Sequence, residues 1–226
     1  MLRAEPADGV AELLGQFDPA SHPDFEQLPA DWTDKEAIFL RRGVLSAFGS
    51  MRAAAQRDGI RLLVRSATRT FAYQRGIWEA KWARPQHLGW RDVEKARDIM
   101  RYSSMPGTSR HHWGTDIDLN KFEAEWFETG EGKRLHDWLG AHASEFGFWN
   151  VYDDKRTSGR GGYEWEPWHW SHLPTAGGLL AAYNERVTIA DLAGFSGAEA
   201  AGSLDVLREF VNGVSLPAAV AENVKT

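Results

Sequence analysis

Three separate clusters of chemistry-bearing residues constrain what this chain can fold into, because each cluster is incomplete without the others. They lie at residues 66–69 (Ser-Ala-Thr-Arg), 109–118 and 166–169 (Glu-Pro-Trp-His). Together they supply two imidazoles and a carboxylate for a metal ion, a second carboxylate for proton transfer and a guanidinium for an anion. Three nitrogen or oxygen ligands with an open fourth position are typical of catalytic zinc, whereas structural zinc sites are usually closed by four ligands. The chain has no cysteine, so the sequence points to a hydrolytic zinc site.

The composition excludes several other classes of function. The 226 residues suffice for one domain with a full-sized core. A net charge of −6 argues against a nucleic-acid partner and against docking on anionic membranes. No apolar run approaches the roughly 20 residues that span a bilayer. The N-terminal residues lack the apolar segment of a signal peptide, so composition leaves the cytoplasm and an exported protein without its leader both open.

The hydrophobic and turn patterns predict one α+β domain. Residues 1–30 are expected to form an irregular lead-in, residues 31–174 the catalytic core and residues 175–226 a helical extension. Thr33 is a candidate cap for the first helix, and Gly59 its stop. The patterns predict helices over residues 33–58, 71–82, 91–102 and 131–146, strands over residues 60–64, 111–120 and 163–173, and two or three helices after Pro174. Strands and helices intermix without the regular alternation of parallel α/β folds.

The spacing of His111 and Asp118 limits how both can reach one metal. Residues seven apart on one strand point to opposite faces, so His111 must lie in the loop before the strand. Gly114 would let the backbone turn back and aim both side chains at one point. Asp116 would share the strand face of Asp118.

Glu166 and His169 form the second half of the candidate site. Pro167 bars Glu166 from helix and favours extended chain, which would carry Glu166 to the cleft beside His169. A zinc hydrolase needs such a carboxylate to take a proton from water and pass it to the leaving amine. The alternative is that Glu166 pairs with a surface arginine, and that Arg69 forms only a solvated salt bridge.

Several neighbouring residues have two interpretations. His112 and His172 would either assist the site or be structural, and the structural interpretation is favoured. Four tryptophans would either line the cleft or pack in the core, and about half of them are expected in the core. They are Trp113, Trp165, Trp168 and Trp170.

These motifs resemble the D-alanyl-D-alanine carboxypeptidase family of zinc peptidases. That family includes the vancomycin-resistance peptidases and shares its metal site with lysostaphin-type enzymes and the hedgehog domain. Its pattern Ser-x-His, then six residues, then Asp is met by Ser109, His111 and Asp118, and its Glu-x-x-His by Glu166 and His169. Its Ser-Gly-Tyr-Arg-Ser, with a glutamine five residues after the arginine, appears as Ser-Ala-Thr-Arg-Thr at residues 66–70 with Gln74. The matches run from about residue 60 to residue 173.

The resemblance implies a fold, a cofactor and roles for particular residues. The fold would be a small, mostly antiparallel central sheet that carries the site, flanked by helices. One Zn²⁺ per chain would be bound by His111, Asp118 and His169. Glu166 would act as general base and then acid. Substrate would be bound by Arg69, which would also stabilise the oxyanion, and by Gln74, Ser109 and Trp168.

The implied reaction is removal of the terminal D-alanine from peptidoglycan stem peptides. Alternatives within the family are an endopeptidase and an L,D-carboxypeptidase. An alternative of another class is a zinc-containing cell-wall-binding module without catalysis, against which Glu166 argues, because binding alone needs no base. The substrate implies the periplasm or cell envelope, with the cytoplasm as the other option. A monomer is expected, although nothing in the sequence fixes the oligomeric state.

The chain departs from the family pattern at two places. Asp116 stands where the family usually has alanine, and it would either orient a ligand imidazole or add charge that weakens the acidity of the water. Ala67 and Thr68 replace Gly-Tyr, which removes an aromatic side chain from the substrate lip.

Overall fold

Short strands and longer helices intermix irregularly in a computed structural model, which describes residues 9–217. The helices are Gly9–Leu13 (α1), Arg42–Arg57 (α2), Phe71–Trp82 (α3), Asp92–Ile99 (α4), Gly130–His142 (α5), Lys155–Ser158 (α6), Leu173–Arg186 (α7) and Ala200–Ser203 (α8). The strands are Phe25–Gln27 (β1), Phe39–Arg41 (β2), Val64–Ser66 (β3), Asp116–Leu119 (β4), Phe148–Trp149 (β5) and His169–His172 (β6). Within residues 9–217, the helices are all too short or too polar to cross a bilayer.

A four-stranded antiparallel sheet brings the three sequence clusters together. Its strand order is β3-β4-β6-β5. Ser66 pairs with Asp118 between β3 and β4, and Asp118 pairs with His169 between β4 and β6. The predicted α+β class with a small, mostly antiparallel sheet is therefore confirmed.

Two large hydrophobic clusters hold the helices and the sheet in place. The first packs α2 and α5 against the sheet, through buried residues such as Phe48, Leu135 and Ile117. The second joins α3, α4 and α7 to the N-terminal helix α1 around Trp78 and Tyr183. Burial of these apolar side chains, at about 25 cal/mol per Å² removed from water, fixes the elements that carry the site.

The first long helix begins later than predicted. The structure starts α2 at Arg42, not at Thr33, because residues 39–41 pair as β2 with β1 and leave the helical conformation. The Thr33 hydroxyl instead accepts a hydrogen bond from the Lys35 backbone N–H at 3.1 Å, in a turn before β2. Gly59 is confirmed as the helix stop, with a φ of +75°.

The three predicted strands were all too long. Residues 60–63 lie between α2 and β3: the Ile60 N–H donates to Ala55 O at 2.8 Å just after the end of α2, and β3 begins only at Val64. Residues 163–168 are not sheet, because Pro167 has no N–H and the Glu166 N–H donates to Tyr152 O at 2.8 Å. The chain before β4 forms a short 3₁₀ helix over Arg110–Trp113.

The remaining helix predictions agree more closely with the structure. The predicted helix 91–102 corresponds to α4, and 131–146 corresponds to α5 followed by a 3₁₀ turn over Ala143–Phe146. The lead-in contains α1 and β1, and the segment after Pro174 contains α7, α8 and a π-helical turn over Leu207–Val211. Residues 218–226 lie outside the described residues, and the three-part division of the domain stays a prediction.

Replacing Gly114 by alanine should destabilise the fold. Gly114 has a φ of +68°, and a Cβ there would lie 2.3 Å from Phe25 Cε1. Backbone strain and the clash together should cost at least about 2 kcal/mol in the free energy of unfolding, measured by urea denaturation. Gly76→Ala is the matched control, because a Cβ on this α3 glycine meets nothing within 4 Å. That change should stabilise by about 0.5–1 kcal/mol, and equal effects of the two changes would contradict the account.

Candidate metal centre and cleft

His111 is placed by a tight turn before β4. The 3₁₀ helix Arg110–Trp113 ends at Gly114 in the left-handed conformation, which confirms that His111 lies before the strand. His111 Nδ1 lies 2.8 Å from Ala67 O, and because a carbonyl only accepts, Nδ1 carries the proton. The lone pair of Nε2 therefore faces Asp118 Oδ2 at 3.3 Å.

His169 meets Asp118 across the pairing of β4 with β6. His169 Nδ1 lies 3.2 Å from Asp118 Oδ1, while its other nitrogen, Nε2, lies 2.8 Å from Asp116 Oδ2. The rings of His111 and His169 are perpendicular, with centroids 4.9 Å apart. One donor atom each from His111, Asp118 and His169 lies within 4.8 Å of the other two, and all three residues are buried. We call these three residues the His-Asp-His group.

The His-Asp-His group fits one zinc ion. Two ring nitrogens and a carboxylate oxygen are the donors that zinc takes in catalytic sites with an open position. Nδ1 of His111 is bound to Ala67 O, and Nε2 of His169 is bound to Asp116. The ligand atoms would therefore be His111 Nε2 and His169 Nδ1. All three residues lie on the wall of a cleft, which leaves a side open to substrate.

Paired charges stabilise the two buried aspartates beside these imidazoles. Burial alone would raise the pKa of Asp118, but its contacts with His111 and the charge of Arg69 hold that pKa well below its usual range. Burial likewise opposes ionisation of Asp116, and the Arg110 guanidinium and the His169 hydrogen bond lower its pKa below the ordinary value. Each aspartate thus remains an anion with its own arginine, Arg69 for Asp118 and Arg110 for Asp116.

Glu166 lies beside the His-Asp-His group with a weakened acidity. Its Oε2 is 3.7 Å from His169 Nδ1. The backbone is fixed by the N–H donated to Tyr152 O and by Asn150 Nδ2, which donates to Glu166 O at 2.7 Å. Burial raises the pKa of Glu166 to about 7, despite the opposing charge of His169. A carboxyl group with that pKa can both accept and return a proton near neutral pH.

Arg69 is held at the end of β3 by neighbours from its own cluster. Its Nε donates to Ser66 Oγ at 2.8 Å and its Nη1 to Gln74 Oε1 at 3.3 Å, while Nη2 contacts Asp118 Oδ2. Gln74 is fully buried behind Arg69 and donates to Ser104 O at 2.8 Å. The structure therefore does not place Gln74 on the cleft wall, and its predicted contact with substrate stays a prediction.

The cleft has a volume of about 610 Å³ and joins the predicted residues in one surface. Arg69, Ser109, Glu166 and Trp168 line it together with the His-Asp-His group. One face of α3 adds the residues Tyr73, Ile77 and Lys81, which are spaced four apart as helix geometry requires. The exposed aromatic residues at its edge are Tyr73, Tyr102 and Phe122.

The other histidines and tryptophans lie away from this surface. His112 Nδ1 donates to Arg69 O at 2.6 Å and its Nε2 accepts from the Gly107 N–H at 3.1 Å, which supports its structural interpretation. His172 Nδ1 lies 3.0 Å from Thr175 Oγ1, outside the cleft. Of the four tryptophans singled out in the sequence, Trp168 alone lines the cleft.

The sequence interpretation missed Arg110 and Tyr152. Arg110 lies at the variable position between Ser109 and His111, is 1% exposed, and pairs with Asp116 at 3.0 Å. The sequence did contain a signal for this pair, because the basic Arg110 and the acidic Asp116 both lie within the single motif that runs from Ser109 to Asp118. Tyr152 packs its ring on His169 with centroids 4.5 Å apart, and no local sequence pattern indicates that contact.

Comparisons with known proteins agree on one family. Residues 37–175 match the family profile VanY, D-alanyl-D-alanine carboxypeptidase. A D-alanyl-D-alanine carboxypeptidase of Enterococcus faecalis is 29% identical over 120 residues, which are 53% of this chain and 43% of that protein. The matches span about half the length of the curated relatives.

Solved structures share the fold. VanYB in complex with D-alanine-D-alanine is 21% identical, with a TM-score of 0.53 over 86% of this chain and 89% of that one. A vancomycin-resistance D,D-pentapeptidase VanY in complex with Zn(II) is 22% identical, with a TM-score of 0.50 over 77% of this chain and 93% of that one. At these identities the similarity establishes the fold.

Proposed function

Because this chain belongs to the D-alanyl-D-alanine carboxypeptidase (VanY) family, we propose that it releases the C-terminal D-alanine of peptidoglycan stem peptides with zinc as cofactor. The observation that carries the proposal is the buried His-Asp-His group with Glu166 beside it in one cleft. The Zn(II) complex of one VanY structure and the D-alanine-D-alanine complex of VanYB support the metal and the substrate.

Glu166 is the residue that moves protons in this proposal. A zinc ion held by the His-Asp-His group would supply Lewis acidity for hydrolysis. Glu166 Oε2, 3.7 Å from His169 Nδ1, accepts a proton from the attacking water and then gives it to the leaving amine. Within residues 9–217 neither carboxylate oxygen of Glu166 takes part in a hydrogen bond, so both are available to water and substrate.

Arg69 stabilises the negative charge that develops on the scissile carbonyl oxygen. Its guanidinium is held beside the His-Asp-His group by Ser66 and Gln74, which places its positive charge near the site of reaction. Fixed donors of this kind typically contribute 10²- to 10³-fold to the turnover rate, roughly 3–4 kcal/mol.

Two buried donors support recognition of a free C-terminal carboxylate. Ser109 Oγ and Arg110 Nη1 are both buried on the cleft wall, and neither has a hydrogen-bond partner among residues 9–217. Buried polar groups are nearly always satisfied, so such donors indicate a ligand atom that accepts from them. A substrate carboxylate would satisfy both, which favours a carboxypeptidase over an endopeptidase.

A pair of matched peptides tests this proposal. We expect a stem pentapeptide with a free C-terminal acid to be cleaved at least about 10-fold faster, in kcat/KM, than the same peptide with a C-terminal amide. Ser109→Ala should lower kcat/KM for the acid and narrow that ratio. Equal rates for acid and amide, or cleavage within the stem, would contradict a carboxypeptidase and indicate an endopeptidase.

The proposal includes a place and an assembly for the enzyme. The substrate is part of the cell wall, so we propose the periplasm or cell envelope as the site of action. All three residues of the His-Asp-His group and Glu166 come from one chain, so a monomer would be complete.

A further inference from the structure

Asp116 is a buried carboxylate that the proposed reaction does not use. It lies two residues before Asp118 on the same face of β4. Its Oδ2 lies 2.8 Å from His169 Nε2, the ring nitrogen opposite the one that faces Asp118. Because a carboxylate accepts hydrogen bonds, this contact holds a proton on Nε2, and a metal bound at the His-Asp-His group would take Nδ1, the nitrogen that faces Asp118 Oδ1.

Asp116 is itself fixed in one orientation. Arg110 Nε donates to its Oδ2 at 3.0 Å, while Ser171 Oγ at 2.9 Å and Thr115 Oγ1 at 2.6 Å lie beside its Oδ1. The carboxylate is fully buried. The pairing of Asp116 with Ser171 between β4 and β6 sets these contacts, so the sheet holds the carboxylate against the imidazole.

We infer that Asp116 is a positioning residue that holds His169 in the ring orientation and tautomer needed to bind the metal. A carboxylate that accepts from the far nitrogen of a ligating histidine fixes the ring and raises its basicity. The inference rests on the proposed function, since it assigns Asp116 a role toward the proposed zinc ion.

Arg110 makes a second buried aspartate tolerable beside the first. An unpaired carboxylate in this interior would be strongly destabilised, and Arg110 supplies the opposite charge with a further bond from Nη2 to Ser171 Oγ at 2.7 Å. The two acidic residues on β4 are thereby matched by two arginines, Arg69 and Arg110. Asp116 and Arg110 therefore form one buried ion pair.

Zinc affinity tests the inference without relying on turnover. The dissociation constant for zinc is measured by competition with a chromophoric chelator, for the wild type and for the double variant Arg110→Met/Asp116→Ala. Removing both charges together avoids an uncompensated buried ion, and circular dichroism checks the fold. We expect the double variant to bind zinc about 10- to 100-fold more weakly than the wild type.

Two further variants separate positioning from general damage to the core. The amide variant, Arg110→Met/Asp116→Asn, keeps an oxygen acceptor for His169 Nε2 without leaving Arg110 as an uncompensated buried ion, and Ser171 and Thr115 can accept from the new amide, so it should restore much of the affinity. Ser171→Ala removes a partner of Asp116 and Arg110 without touching His169, and should change zinc affinity by less than about threefold.

The outcomes distinguish this inference from the proposed function. Zinc binding by the wild type, with weaker binding by the folded double variant and rescue by the amide variant, supports positioning. Wild-type zinc binding with equal affinity in the folded double variant overturns the inference alone, as does a loss in Ser171→Ala as large as that in the double variant. No zinc binding by the wild type overturns the proposed function together with it. If the double variant does not fold, Arg110→Met/Asp116→Leu replaces it, because leucine fills the space without offering an acceptor: weaker zinc binding than in the amide variant supports the inference, and equal binding overturns it.

Discussion

Replacing Glu166 by glutamine should lower kcat by about 10²- to 10⁴-fold while leaving the bound zinc unchanged. Glutamine has the same shape but cannot accept a proton from water or return one to the leaving amine. Its side chain lies next to the His-Asp-His group without being one of the three converging residues. The measurement is steady-state kinetics on a stem pentapeptide, together with zinc content by elemental analysis.

A neighbouring glutamate provides the control for that change. Glu164 lies two residues earlier, is partly exposed and pairs with Lys155 at 3.1 Å outside the cleft. Glu164→Gln should leave kcat within about twofold, because exposed ion pairs contribute little. Full activity in Glu166→Gln would exclude Glu166 as the base and favour a binding module or another proton acceptor.

Replacing His169 by alanine should abolish both zinc binding and turnover. It removes one of three donors, and the affinity should fall by more than the roughly 100-fold loss that follows changes to residues around a ligand. The measurement is the zinc content after dialysis, with thermal unfolding to confirm that the variant folds.

His172 supplies a matched control on the same strand. It is three residues beyond His169 on β6, half-buried, and bonded to Thr175 outside the cleft. His172→Ala should retain one zinc per chain and near-normal turnover. Equal zinc content in His169→Ala and His172→Ala would show that the metal binds elsewhere.

The core of the site could be predicted from sequence because local rules fix it. The odd spacing of His111 and Asp118 requires a turn between them, and Gly114 provides that turn with a positive φ. Pro167 excludes helix at Glu166, which leaves β6 to begin at His169. Spacing and backbone chemistry thus account for how these segments turn, whereas the set of three ligands, His111, Asp118 and His169, was implied by the resemblance to the family.

Other features could not be predicted because they depend on contacts distant in sequence. The start of α2 is set by the pairing of β1 with β2, which joins residues 25–27 to residues 39–41. The burial of Gln74 depends on Ser104 O, 30 residues away. Tyr152 reaches His169 only because the chain between β5 and β6 folds back. Periodicity along one segment contains none of this information.

Mass spectrometry of a muropeptide pentapeptide tests the central claim most directly. The peptide is incubated with zinc-loaded protein, with chelator-treated protein and with the Glu166→Gln variant. The account predicts loss of a single C-terminal alanine, and only with the zinc-loaded wild type. Cleavage within the stem, cleavage without metal, or no cleavage with zinc confirmed bound would contradict it.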